Sequence, residues 1–375
     1  MRIVLDTSVV LGEGQSSYRY FSELIPRLRA QKELEVELLP SPYFELPAHW
    51  YSETPGYQPI QKKFQWIPRG PIRRLLAPAK NLVEKYRQNK WFYQTQGEAL
   101  FHSFFYTIPM NSKVPVVTIA HDAIPELFPN EVSRGEHMAT HLKQKKMSLL
   151  NAQRIIAVSE STKRDICEVY GLSPNTIDVI YHAVASDFYW DPSSTSSLAS
   201  PYLLQVGGRE HHRNFDRLLE CFKDGGFSRD YLLVCAGAAW SSNEWSKICR
   251  LDLKDRVVLF ETPTNQVLRN LYQHSEMLVY PSLYEGFGFP PLEAMACGAL
   301  VATSKGAGSI EEVCAEAALY FNPRDPKDMA NTIALGLKPN QKESFRAKGF
   351  ANLKRFSWDN TATRTIACYR HTLDF

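Results

Sequence analysis

Two glutamates eight residues apart, Glu285 and Glu293, bracket the most chemically pointed stretch of this 375-residue sequence. It reads Tyr280-Pro-Ser-Leu-Tyr-Glu285-Gly-Phe-Gly-Phe-Pro-Pro-Leu-Glu293-Ala-Met-Ala-Cys-Gly298. An apolar run ends at Tyr280, as a strand would. Gly286 and Gly288 let backbone N–H groups come close to a ligand. Pro290 and Pro291 suit the first turn of a helix, where a missing N–H costs nothing, and Gly298 caps its end. This order predicts a helix N-terminus aimed into a cleft, a natural place for a diphosphate. Carboxylates add no favourable charge there, but they accept hydrogen bonds from hydroxyls. A sugar nucleotide carries hydroxyls on both sides of its diphosphate, which suits a glutamate at each end of the loop.

The elements that must position this loop follow from apolar patterning. In the first half, strands are predicted at 3–5, 36–39, 99–102, 114–120, 155–158 and 177–180. A helix carries Tyr20, Phe21, Leu24, Ile25 and Leu28 on one face, with Pro26 as a kink within it. Residues 186–201 are Ser/Pro-rich and aperiodic, as a linker is. The pattern then restarts, with strands predicted at 202–206, 232–236, 257–260, 277–280 and 300–303. Short buried strands alternating with helices imply α/β domains with doubly wound parallel sheets. Ligands of such sheets bind beyond the carboxyl ends of the strands, so two of them face a shared cleft. The expected division is a first domain over 1–185, a linker over 186–201 and a second domain over 202–357.

Composition narrows the function classes. Apolar residues make up 44% of the chain, enough for two cores, and the net charge is only +3. That suits a protein handling anionic ligands and is too weak to mark a nucleic-acid binder. The seven cysteines form no C-x-x-C pair, which reads as buried free thiols in a reducing compartment. Asp6 interrupts the N-terminal apolar run, so no signal peptide is expected, and no stretch approaches the ~18 apolar residues of a membrane span. A cytoplasmic location follows as an expectation, with contact at the inner membrane face left open. The segment 61–90 carries nine basic residues against Glu84 alone, with Phe64, Trp66, Ile67, Leu75 and Leu76 interleaved. It reads as a solvated insertion, or as a surface for anionic lipid or a lipid-linked acceptor; no nucleic-acid motif accompanies it.

The stretch from Glu285 to Glu293 resembles the E-x7-E motif of glycosyltransferase family 4, in its common form E-G-F-G-x-P-x-x-E. The flanks match too, Val279-Tyr-Pro-Ser before it and Ala294-Met-Ala-Cys-Gly-Ala after it. Val117-Thr-Ile-Ala-His121-Asp122, Ala157-Val-Ser159-Glu-Ser161-Thr-Lys163, Ser309-Ile-Glu311-Glu312-Val313 and Phe356-Ser-Trp358 resemble further segments of that family. The resemblance implies a GT-B fold, two Rossmann-like domains facing a cleft, with a last helix over 358–375 crossing back to the first domain. It implies that Glu285 approaches the donor-sugar hydroxyls and that Glu293 binds the ribose. The amides of Gly286, Phe287 and Gly288 meet the sugar and phosphates, with Leu292 in the same donor site. Phosphate charge falls to Arg213 and Arg209, after the Gly207-Gly208 turn, and His121 contacts the sugar near the reacting centre.

Two departures from the family pattern touch binding. Where the family has G-G-I-G-R-Y, this chain has Gly14-Gln-Ser16-Ser17-Tyr18, which keeps Gly14 and Tyr18 in the acceptor-facing loop and replaces the second glycine. After the strand at 257–260 the family often has glycine, whereas Glu261 and Thr262 stand here beside the nucleobase. No D-x-D pair occurs, so metal-independent transfer is expected, with Arg213 and Arg209 stabilising the leaving diphosphate. The family retains anomeric configuration, and no carboxylate is an obvious nucleophile, so the expected route is front-face attack. The expected enzyme is a retaining hexosyltransferase using UDP-glucose as co-substrate, with no resident cofactor or metal, acting on a glycan or lipid-linked acceptor in exopolysaccharide or surface-glycan synthesis. The rival enzyme reading is a sugar-nucleotide epimerase of the same fold, which needs no acceptor; the rival non-enzyme reading is a binding module built on 61–90.

Overall fold

A computed structural model describes residues 1–10, 16–39, 47, 50, 99–108, 114–130 and 136–373. Gly14 and the basic segment 61–90 lie outside the described residues. Among the described residues, twelve strands form two parallel six-stranded sheets. The first contains β1 (Arg2–Asp6), β2 (Glu35–Leu39), β3 (Ala99–Ser103), β4 (Val116–Ala120), β5 (Arg154–Ala157) and β6 (Ile177–Val179), in the order β2-β1-β3-β4-β5-β6. The second contains β7 (Tyr202–Val206), β8 (Leu232–Gly237), β9 (Val257–Glu261), β10 (Met277–Tyr280), β11 (Val301–Ser304) and β12 (Leu319–Phe321), in the order β12-β11-β10-β7-β8-β9. Central strands such as β3, β4, β7 and β10 are buried along their whole length, as strands covered by helices on both faces must be.

The described helices are α1 (Ser16–Arg29), α2 (Ile124–Leu127), α3 (Glu136–Asn151) and α4 (Glu160–Tyr170) with the first sheet, and α5 (Phe215–Asp224), α6 (Ser242–Arg250), α7 (Asn265–His274), α8 (Phe289–Ala296), α9 (Ile310–Cys314), α10 (Pro326–Gly336) and α11 (Gln341–Leu353) with the second. The last, α12 (Trp358–Leu373), returns to the first sheet's layer and packs on α1, β4 and β5. Trp358 Nε1 donates to the Val184 carbonyl at 3.1 Å, Thr361 Oγ1 to the Tyr181 carbonyl at 2.7 Å, and His102 Nδ1 lies 2.5 Å from the Tyr369 hydroxyl. A helix distant in sequence thus bolts the two halves together.

Residues 186–201 are regular in contact though not in secondary structure. Phe188 is buried against Tyr272, and Asp191 N–H donates to Gln273 Oε1 at 2.9 Å. All seven cysteines are free, five of them buried. Among the described residues no helix is long and apolar enough to cross a membrane.

Candidate active site

Four segments that are far apart in sequence meet at the loop between β10 and α8. Gly288 adopts φ +99, a left-handed conformation that favours glycine, and serves as the N-cap of α8. Pro290 and Pro291 follow in the first turn. Their missing N–H groups leave Gly288 and Phe289 as the free backbone donors of this helix start. Gly286 faces the first domain. A Cβ there would run into the carbonyl oxygen of His121, at the end of β4. Its own carbonyl accepts from Ser159 Oγ at 2.8 Å and Thr162 Oγ1 at 3.2 Å. Ser159 also caps α4, where its Oγ accepts from Thr162 N–H at 3.0 Å. The fourth segment holds the loop from beneath: Ser309 Oγ lies 3.0 and 2.9 Å from the carbonyl oxygens of Glu285 and Phe287.

Further bonds close this junction. The Glu312 carboxylate accepts from the N–H groups of Glu160 at 2.8 Å and Ser161 at 3.2 Å, capping α4 from the opposite domain. Tyr284 donates to Asp165 Oδ2 at 2.5 Å.

Glu285 is buried and accepts an ion-pair hydrogen bond from Arg213 Nη1. The same Nη1 donates to the Tyr280 hydroxyl at 2.6 Å, while Arg213 Nε has no partner among the described residues. Burial works against the Arg213 charge, yet Glu285 and Tyr280 outweigh it and hold the guanidinium above its ordinary pKa. Across the loop, His121 Nε2 lies 2.8 Å from the Phe104 carbonyl oxygen. A carbonyl only accepts, so Nε2 carries the proton and Nδ1 remains an acceptor. Burial lowers the His121 pKa, keeping the ring neutral. Gly207, at the end of β7, takes φ +103 and opens on space that no neighbour fills.

Glu293 is buried one turn into α8. One oxygen accepts from Arg19 Nη1, on α1 of the first domain, and the other from the Tyr272 hydroxyl at 2.9 Å. Burial pushes this carboxyl above the ordinary carboxylate range, and Arg19 and Tyr272 pull it back.

Against this geometry, residues 19–188 match the family described as Glycosyltransferase Family 4, and residues 190–349 match Glycosyl transferases group 1. The chain is a glycosyltransferase carrying both of these family domains. This glycosyltransferase is 31% identical over 229 residues to the O-antigen chain mannosyltransferase RfbU of Salmonella typhimurium, covering 61% of this chain and spanning 62% of that relative's length. It is 26% identical over 392 residues to O-antigen chain mannosyltransferase B of Escherichia coli, covering 99% of this chain and all of that one. Among solved structures, sucrose-phosphate synthase from Thermosynechococcus elongatus matches with a TM-score of 0.73 at 19% identity, over 99% of this chain and 98% of that one. Anabaena Alr3699/HepE in complex with UDP and glucose matches with a TM-score of 0.69 at 16% identity, over 99% of this chain and the whole of that one. These structural likenesses show the GT-B fold.

The structure of the glycosyltransferase brings Glu285, Arg213, Gly286 and His121 together but turns Arg209 elsewhere. Arg209 Nε pairs with Glu244 at 2.7 Å, Nη2 donates to the carbonyls of Ala238 and Ala239, and the guanidinium lies over Trp240 at 4.5 Å. A buried cation takes the nearest carboxylate, and Glu244 at the start of α6 supplies it. Arg209 is thus held by Glu244 and the chain after β8.

Glu261 and Thr262 are exposed at the end of β9, and Thr262, not Glu261, takes the left-handed φ of +44. Leu292 is fully buried in the core, and the Phe287 ring packs against His182 and Phe289. Tyr18 stacks on Trp50, with ring centroids 5.3 Å apart. Sequence reasoning missed Arg19, Tyr272 and Tyr280. A single arginine or tyrosine in an amphipathic helix or a strand end carries no spacing signal.

Proposed function

We propose that the protein transfers a mannosyl residue, with retention of anomeric configuration, from a nucleoside-diphosphate mannose to a hydroxyl of a glycan or lipid-linked acceptor in surface-glycan assembly. The observation that carries this is the pairing of Glu285 with Arg213 at the loop whose next residue, Gly286, sits against the His121 backbone carbonyl of the first domain. A carboxylate for sugar hydroxyls, a cation for the departing phosphate and a neutral imidazole acceptor thus stand together. Mannose replaces the UDP-glucose expected from the sequence, because both relatives described above are mannosyltransferases by name.

In this reading the sugar lies between Glu285 and His121 Nδ1, both accepting from its hydroxyls. Arg213 turns its unpartnered Nε and its remaining guanidinium edge to the diphosphate. The Gly288 and Phe289 amides add donors, and Glu293 takes the ribose hydroxyls. The bond from the anomeric carbon to the phosphate oxygen breaks as the acceptor oxygen attacks from the same face. The acceptor proton passes to the leaving phosphate oxygen. Arg213 meets the charge that grows there, so no metal is required for that role. The basic, aromatic-interleaved segment 61–90 supports contact with an anionic lipid surface, which vesicle co-sedimentation at rising salt tests.

The test combines binding and product analysis. GDP, UDP and their mannose and glucose conjugates are compared by thermal shift, where a ligand at a hundred times its Kd adds about 2.7 kcal/mol. The best donor is then turned over with a glycan acceptor in the presence of EDTA. The expected outcome is acceptor-dependent release of nucleoside diphosphate and an α-configured product from an α-linked donor. A β-configured product rejects retention, turnover without acceptor favours the epimerase reading, and glucose preferred over mannose rejects the donor assignment.

A further inference from the structure

Arg19 has no role in the donor-site reading, yet its placement is over-determined. It lies on α1, in the first domain, and its guanidinium crosses to the second. Nη1 donates to Glu293, Nη2 donates to Asn265 Oδ1 at the start of α7 at 3.2 Å, and the guanidinium lies 5.4 Å from the ring centre of Phe188 in the segment joining the domains. Its Nε is buried without a partner among the described residues. A buried N–H left unpaired is costly, so the side chain is held there by what the other nitrogens gain. Three elements separated in sequence therefore converge on one cation, and that cation binds the carboxylate assigned to the ribose.

We infer that Arg19 is a positioning residue of the donor site: from the opposite domain it fixes and charges the Glu293 carboxylate that grips the nucleotide. The inference rests on the reading of Glu293 as the ribose ligand. Its physical basis is that a carboxylate with this little exposure needs a counter-charge to stay ionised, and only the ionised form accepts charge-assisted hydrogen bonds from ribose hydroxyls. Among the described residues, the titratable groups facing Glu293 are Arg19 on α1, Tyr272 on α7 and Cys297 at the end of its own helix. Tyr272 and Cys297 are neutral donors at most, so Arg19 is the cation among them. Nucleotide grip and the juxtaposition of the two domains thereby become one event.

The test measures affinity for GDP and UDP by calorimetry between pH 5 and pH 8, on the full chain, for the wild type, Glu293→Ala, Arg19→Gln and Arg19→Lys. In the wild type, affinity is lost as pH falls through the Glu293 pKa. Arg19→Gln is expected to weaken binding by roughly tenfold to a hundredfold and to move the midpoint of that loss to higher pH. Arg19→Lys restores the charge but not the fork, so it is expected to keep the wild-type midpoint with about a threefold to tenfold loss of affinity. If Glu293→Ala binds nucleotide as the wild type does, the ribose reading fails. If Glu293→Ala weakens binding while Arg19→Gln keeps both affinity and midpoint, the ribose reading stands and the role of Arg19 is overturned. Should thermal unfolding show that Arg19→Gln does not fold, Arg19→Lys decides, and an unchanged affinity in that variant overturns the inference.

Discussion

The two carboxylates of one short motif are served in opposite ways. Glu285 pairs with Arg213 from its own domain, and Tyr280 supports that pair by accepting from the arginine. Glu293 pairs with Arg19 from the other domain, and Tyr272 supports it by donating to the carboxylate. Each is an arginine, a glutamate and a tyrosine, so the chemistry is nearly the same. The difference is where the counter-charge comes from. The first triad is complete within the second domain and keeps its geometry however the domains stand. The second exists only when α1 lies against α7 and α8. A reacting centre gains from the first kind of arrangement, because preorganised charge costs nothing to align during reaction. A binding contact gains from the second, because it ties the ligand to the closed cleft.

Breaking the first triad should give the largest effects. Glu285→Gln is expected to lower kcat by on the order of several hundredfold with little change in nucleotide affinity, since its contact strengthens as charge develops on the sugar. Steady-state kinetics beside calorimetry checks this, and equal losses in both would move Glu285 to the nucleotide side. Arg213→Ala should lower kcat by about tenfold to a hundredfold, with a smaller rise in donor KM. Arg213→Lys should recover part of that loss, because the compact ammonium keeps the charge without the fork.

The tyrosines sharpen the contrast at smaller amplitude. Tyr280→Phe should reduce kcat about threefold to tenfold, the net worth of one ordinary hydrogen bond. Tyr272→Phe should instead weaken nucleotide binding by a similar factor and leave kcat alone. Finding the two effects exchanged would collapse the distinction between the triads.

The smallest effect is on stability. Burial depresses His102 and His182 to about 3. Their folded pKa lies below the unfolded value near 6.5, so the stability they contribute is present above pH 6.5 and is lost as pH falls toward 3. Glu293 works in the opposite sense over its own range, since its carboxyl is raised by burial. Tm recorded against pH should fall below pH 6.5, and His182→Gln should flatten that slope.

Much of the fold and the centre of the site could be read from residue order. Strand positions followed from apolar runs and were accurate to within two residues, because a strand buried on both faces must be apolar along its length. The edge strand β12 escaped, being only partly buried and so carrying a weaker apolar signal. The loop before α8 was legible because glycine, proline and cap residues act on the backbone where they stand: Gly288 takes the left-handed φ and the prolines begin the helix. Lateral pairing was not legible. The resemblance marked Arg209 for the diphosphate, but nothing in residue order announced the ion pair it makes with Glu244, 35 residues on.

What the sequence determined by itself is therefore local: two parallel α/β halves, a glycine-proline loop opening a helix, and a glutamate at each end of it. What only the tertiary structure decided is which cation meets which carboxylate. Arg213 reaches Glu285 over 72 residues and Arg19 reaches Glu293 over 274. Charges carry no periodicity and their attraction acts through space, so partners are chosen by the packing of α1, α7 and α8 against one another, which local order along the chain does not encode.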